Sequence, residues 1–184
     1  MSEHSQIGLY VTVGNDSLNA SIEQLLASAP VDAVVEQTLS VVHITQPVML
    51  TLLITDEDGI RDMNKQYRQQ DKPTDVLSFP LLEQPLVQAP EEQLWAVTEV
   101  TETAKSPAFV TPPDMITNLG DVVMSWPTLA QQAVEAGHTP VYELLYLLSH
   151  GVLHLVGYDD HSEAGYQAMV SIQQSVLQAV GQKA

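Results

Sequence analysis

Three of the chain's six histidines lie within twelve residues, HGVLHLVGYDDH from His150 to His161, and their spacing points to a metal site. His150 and His154 are four residues apart. On a helix this sets one ring above the other on a common face, close enough to converge on a single ion. Zinc takes imidazole nitrogen at about 2.0 Å, and the helix supplies the preorganisation. A third ligand must come from elsewhere, and Gly157 offers the turn by which His161 folds back toward the pair. Three histidines leave the fourth tetrahedral position for water, whose pKa the metal lowers toward neutrality, as in hydrolytic centres. The tandem Asp159 and Asp160 have two chemically admissible roles. Either can accept a hydrogen bond from a ligating ring's other nitrogen, and the carboxylate of Asp160 can take the ligand position itself. Gly151 stands where an HExxH protease carries its glutamate base, so this is not that motif. A glycine there lets a strand or a substrate approach the helix closely.

The rest of the composition narrows the chemistry. With 184 residues, 45% of them apolar, the chain can bury a substantial core and is expected to form one domain over 1–184. There is no cysteine, which excludes disulfides, thiolate metal sites and a cysteine nucleophile, and leaves imidazole, carboxylate or backbone oxygen for any metal. The start, MSEHSQIGLYVTV, has neither a basic region nor a long apolar run, and no stretch approaches the twenty or so apolar residues of a membrane span. A cytoplasmic protein with no membrane partner is the expectation. A net charge of -17 repels nucleic-acid phosphate as a whole-molecule field. Yet four of the six basic residues sit in IRDMNKQYRQQDK: Arg61, Lys65, Arg68 and Lys72. Arg61, Lys65 and Arg68 recur at helical spacing and can present a local positive face.

Hydrophobic periodicity supplies the elements that position these groups. GLYVTV reads as a first strand, followed by a helix from about Asp16 to Ala29 through Leu18, Ile22, Leu25 and Leu26. A second helix, capped by Asp32, buries Val34, Val35, Leu39 and Val42. VMLTLLIT is a well-buried strand. Thr55 or Asp56 caps a helix carrying Ile60, Met63 and Tyr67 on its packed side, with Asn64 bonding the local backbone, and TDVLSFP is a short strand closed by Pro80. The proline-rich, acidic region from Leu81 to Asn118 is an excursion with strand character only in LWAVTEV. NLGDVVMSW returns to a strand. Helices then run from Pro127 to about Gly137, from near Pro140 to Gly157, and from about Ser162 to Val180.

HGVLHLVGYDDH, together with MNKQYR, TDVLSFP, LGDVVMS and GHTP in that neighbourhood, resembles the YbeY family of bacterial endoribonucleases and rRNA maturation factors. The matches span about Thr51 to Met169, with Tyr142 standing where an arginine is common. The resemblance implies an α+β fold, a small mixed β-sheet flanked by helices, with a zincin-like metal site on a helix. It implies one zinc ion on His150, His154 and His161, and Arg68 in the cleft as the catalytic, substrate-facing residue; Lys65, from the basic helix face, and Ser78, on the strand TDVLSFP, are further candidate substrate contacts. It implies single-strand-specific, metal-dependent cleavage of RNA in the maturation of the small-subunit rRNA 3′ end and in ribosome quality control. The partners are then single-stranded RNA, the rRNA precursor and the small ribosomal subunit or its proteins. Attack by an activated water or by the ribose 2′-hydroxyl both fit. Counted strictly from His150, the family's third ligand position falls on Asp160. His161 is the expected ligand, because one extra residue after Gly157 can be absorbed in a turn without moving the helix. Three histidines alone also suit a peptidase-like zinc hydrolase, or a non-catalytic ribosome assembly factor with a structural ion.

Overall fold

A computed structural model describes residues 5–97 and 116–182. The helices begin where short polar side chains can satisfy free backbone N–H groups. Asn15, Asp56, Ser125, Thr139 and Ser162 each accept from the backbone N–H three residues on, opening α1 (Asp16–Ser28), α3 (Glu57–Arg68), α4 (Trp126–Ala136), α5 (Pro140–Val156) and α6 (Glu163–Ala179). Helix α2 (Val31–Val41) starts at Pro30 without such a cap. The strands are β1 (Ser5–Thr12), β2 (Val48–Thr55), β3 (Val76–Pro80) and β4 (Thr117–Ser125). Strand β1 therefore starts at Ser5, earlier than the apolar pattern alone indicates, because pairing with β2 continues to Val48.

The sheet order is β1-β2-β4-β3. β1 and β4 flank β2 in parallel, and β3 runs antiparallel to β4 at the edge. Mixed α and β elements around a small sheet are the architecture the sequence implies. Helix α5 is apolar on most sides because it is central: it packs on α2, α4, α6, β3 and β4. Leu144, Leu145, Leu148, Val152, Leu153, Leu155 and Val156 are fully buried. Gly151 makes the approach to the sheet possible, since a β-carbon there would lie 2.7 Å from Cγ1 of Val122 on β4. The glycine thus serves the strand contact, one of its two expected uses.

The described residues of the excursion after β3 pack against the end of α5. Leu86 and Val87 donate to Val156 O, Trp95 donates to Gly157 O, and Leu94 forms a bridge with Tyr158. This segment therefore closes over the end of α5. The last three residues of the strand-like LWAVTEV lie outside the described part, and among its described residues only Leu94 makes a β-contact. Tyr67, expected on the packed face of α3, is 62% exposed and meets the ring of Phe79 edge-on. Among the described residues no helix is long and apolar enough to cross a membrane.

Candidate metal centre

His150 and His154 lie on the third and fourth turns of α5, facing the edge of the sheet, and their rings meet edge to face with centroids 4.6 Å apart. Their Nε2 atoms are 3.0 Å apart. The other nitrogen of each ring is engaged. His154 Nδ1 donates to Tyr158 O at 2.9 Å. His150 Nδ1 faces Gln173 Oε1 at 3.3 Å, and Gln173, 1% exposed, is itself fixed by donating to Tyr146 O. Donation from both Nδ1 positions leaves both Nε2 lone pairs free and aimed at one point, the arrangement that orients metal-binding imidazoles. Burial, then the neighbouring His150, hold the His154 imidazole below its ordinary pKa against the opposing pull of Asp160 and Asp159. The ring is thereby kept in the neutral form that can coordinate.

The third group at this point is Asp160. Its carboxylate oxygens lie 3.6 Å from His150 Nε2 and 3.7 Å from His154 Nε2, and the three donors form the one metal-competent cluster found among the described residues. A tetrahedral zinc ion with bonds of about 2.0–2.1 Å sets its donors about 3.3 Å apart. The imidazole nitrogens, 3.0 Å apart, with Asp160 Oδ2 3.6 Å from His150 and Oδ1 3.7 Å from His154, lie within a few tenths of an ångström of that value, so two imidazoles and one carboxylate fit the ion.

The expected third ligand, His161, lies apart from the pair in this structure. Its side chain is 62% exposed, and Nδ1 bonds Asp159 Oδ2 at 2.6 Å. It lines a different recess, with Pro85, Val87 and Trp95. The reason is that the turn is stapled from outside rather than free to absorb a residue. Asp159 N donates to Gln93 O, Tyr158 bridges Leu94, and Ser162 Oγ donates to Glu92 O. Asp159 Oδ1 also accepts from Asp160 N at 2.8 Å. With Tyr158 and Asp159 pinned, the next side chain, Asp160, turns inward and the one after it turns out.

In front of the cluster lies a cleft of about 490 Å³ walled by α3, β3 and the loop between them. Arg68 lines it, its guanidinium donating to Ser78 O at 2.7 Å and resting 5.9 Å from the Phe79 ring centre. Ser78 also lines it, but its hydroxyl is buried and turned toward Gly151 O at 3.4 Å. Lys65 is exposed and does not line the cleft, whereas Lys72 does. The loop bearing Lys72 is held by Asn64, 2% exposed, which donates to Lys72 O at 2.9 Å. Arg61 is engaged with Asp71 at 2.7 Å, a bond that holds the Asp71 carboxyl below its ordinary pKa. The cations facing the cleft are thus Arg68 and Lys72.

Sequence reasoning passed over Lys72 as a cleft residue, and also Gln173 and Trp95. For Gln173 a signal exists: it interrupts the apolar stripe of α6 formed by Met169, Val176 and Leu177, and a glutamine on a buried face needs a partner. Trp95, whose Nε1 donates to His154 O at 2.8 Å, carries no such local signal.

Residues 12–181 match the family model described as Endoribonuclease YbeY. A protein named Endoribonuclease YbeY from a Roseiflexus species is 37% identical over 155 residues, 84% of this chain and 84% of that one. One of the same name from Dehalococcoides mccartyi is 42% identical over 131 residues, 71% of this chain and 73% of its own. The Enterococcus faecalis protein of that name is 36% identical over 141 residues, 77% and 80% of the two chains. The solution structure of TM1509 from Thermotoga maritima shares the fold, with a TM-score of 0.50 and 23% identity over 95% of this chain and 89% of that one.

Proposed function

Because the chain belongs to the YbeY endoribonuclease family, we propose that it cleaves single-stranded RNA at a metal centre formed by His150, His154 and Asp160. Its substrate in the cell is then the small-subunit rRNA precursor during 3′-end maturation, with a further part in ribosome quality control in the cytoplasm. The observation that carries this reading is the junction of two features: three converging donors of zinc-binding type, and a cleft that concentrates two of the chain's six basic residues on an otherwise acidic molecule. When bound, a zinc ion supplies Lewis-acid polarisation of a phosphoryl oxygen and makes a nearby water more acidic.

The protein's own groups do the positioning. Ser78 O and the Phe79 ring restrain Arg68, so its remaining N–H donors are preorganised for phosphate oxygens whose charge grows in the transition state. Lys72 adds a point charge on the same wall, fixed through Asn64. Gln173 and Tyr158 O keep both imidazoles in the tautomer that presents Nε2 inward. The acidic surface limits unspecific RNA binding, and contact with a protein of the small ribosomal subunit would supply the targeting that electrostatics does not.

The test is cleavage of single-stranded RNA by the zinc-loaded protein. His154→Ala should abolish it with loss of metal. Arg68→Ala should lower it about 100-fold or more with metal content unchanged. Peptide cleavage in place of RNA cleavage would overturn the reading.

A further inference from the structure

Behind the donor cluster a second recess opens, of about 280 Å³, which meets the RNA cleft at Asp75, Val76, His150 and Asp160. The two lobes share two of the three donors, His150 and Asp160, while His154 lines the front lobe alone, and they differ in chemistry. The front lobe carries Arg68 and Lys72. No lysine or arginine lines the rear lobe among the described residues. Tyr146 on α5 and Tyr166 on α6 line it, together with Leu147 and Met169. Tyr166 is 49% exposed, and Met169 is fully buried.

The charged groups lining the rear lobe, apart from the ligand histidine, are carboxylates: Asp75, Glu143 and Asp160. Two of them are held by a network outside the metal cluster. Glu143, 8% exposed, bonds His138 Nε2, and the Gln132 amide, in the orientation its neighbours require, donates to Glu143 Oε1 and Asp75 Oδ2 at 3.3 Å each. Asp75 Oδ1 also accepts from Val76 N and Thr74 Oγ1, so Asp75 holds three donors and Glu143 two; with about four lone-pair sites on each carboxylate, acceptor capacity remains on both. A phosphate is repelled by such a lobe. A flat ring with N–H groups on its edge suits it, since the tyrosine faces stack and the carboxylates accept.

We infer that the rear lobe is a subsite for one nucleobase, that of the nucleotide next to the scissile phosphate on the side away from Arg68. It selects bases bearing an exocyclic amino group over uracil. The inference rests on the endoribonuclease reading: a strand whose phosphate lies at the donor cluster must pass from the cationic lobe into this one.

The experiment measures equilibrium binding and single-turnover cleavage of short single-stranded oligoribonucleotides by the full-length, zinc-loaded protein, with one abasic nucleotide moved along the strand. In the wild type, an abasic position beside the cleaved phosphate should weaken binding about tenfold, the worth of one base stacked on an aromatic ring. In Tyr166→Ala the same abasic position should have almost no further effect, while Tyr166→Phe behaves as wild type. Cytidine at that position should bind several-fold more tightly than uridine. A flat abasic scan with cleavage intact sinks the base subsite and leaves the nuclease reading standing, as does an abasic penalty undiminished in Tyr166→Ala. Equal binding of cytidine and uridine overturns the selectivity. A wild type that neither binds nor cleaves RNA removes both readings together.

Discussion

The two halves of HGVLHLVGYDDH place their side chains by different physics. From His150 to His154 the geometry is local: a regular helix puts residues four apart on one face, whatever surrounds it. From Gly157 to His161 it is borrowed. Gly157, at φ +135°, ends the helix in a conformation that L side chains rarely adopt, and the following residues are held by the segment around Glu92, Gln93 and Leu94. A helix carries its own hydrogen-bond partners, whereas a turn takes them from whatever packs beside it. The lesson is that a ligand on the helix can be counted off the chain, but a ligand on the turn cannot.

Removing ligands tests that contrast most directly. Metal analysis of purified variants should show Asp160→Ala as depleted as His154→Ala, because each leaves only two donors, while His161→Ala retains its ion. Retention in Asp160→Ala with loss in His161→Ala would mean that the turn adopts the other register when metal binds. Next in size is support for the helix side. Gln173→Leu leaves His150 without its orienting acceptor and should weaken zinc affinity about 10–100-fold, read by competition with a chromophoric chelator. The turn side has its own counterpart in Asp159→Ala, which removes the acceptor for Asp160 N. Its effect on affinity should be smaller than that of Gln173→Leu, since Gln93 O and Leu94 still anchor the turn. The mildest change concerns the seat of the helix itself. Gly151→Ala presses a methyl group into Val122 and should cost about 1–3 kcal/mol in denaturant unfolding. An unchanged midpoint would show that α5 can shift away from β4, and that the histidine pair is less rigidly seated than its burial indicates.

The same division runs through the rest of the molecule. The helices were legible because apolar residues recur at helical spacing and polar caps precede them, as at Asp56 before α3 and Thr139 before α5. Buried β2 was legible as an unbroken apolar run. Ser5 and Gln6 were not, since their strand character comes from pairing with Val48 and Met49 rather than from their own pattern. In the cleft, the basic cluster was evident, but which members face inward was not. The turn after α3 brings Lys72 round through Asn64 and leaves Lys65 in solvent, while Arg61 is taken by Asp71.

By itself, then, the sequence determined the helix-borne histidine pair, the glycine that ends the helix, the exclusion of thiolate chemistry and the α+β pattern, all matters of composition or of spacing within one element. Only the tertiary structure decided that Asp160 faces the pair and His161 faces away. That choice depends on hydrogen bonds to Glu92 and Gln93, nearly seventy residues earlier in the chain, and no count along the turn contains them.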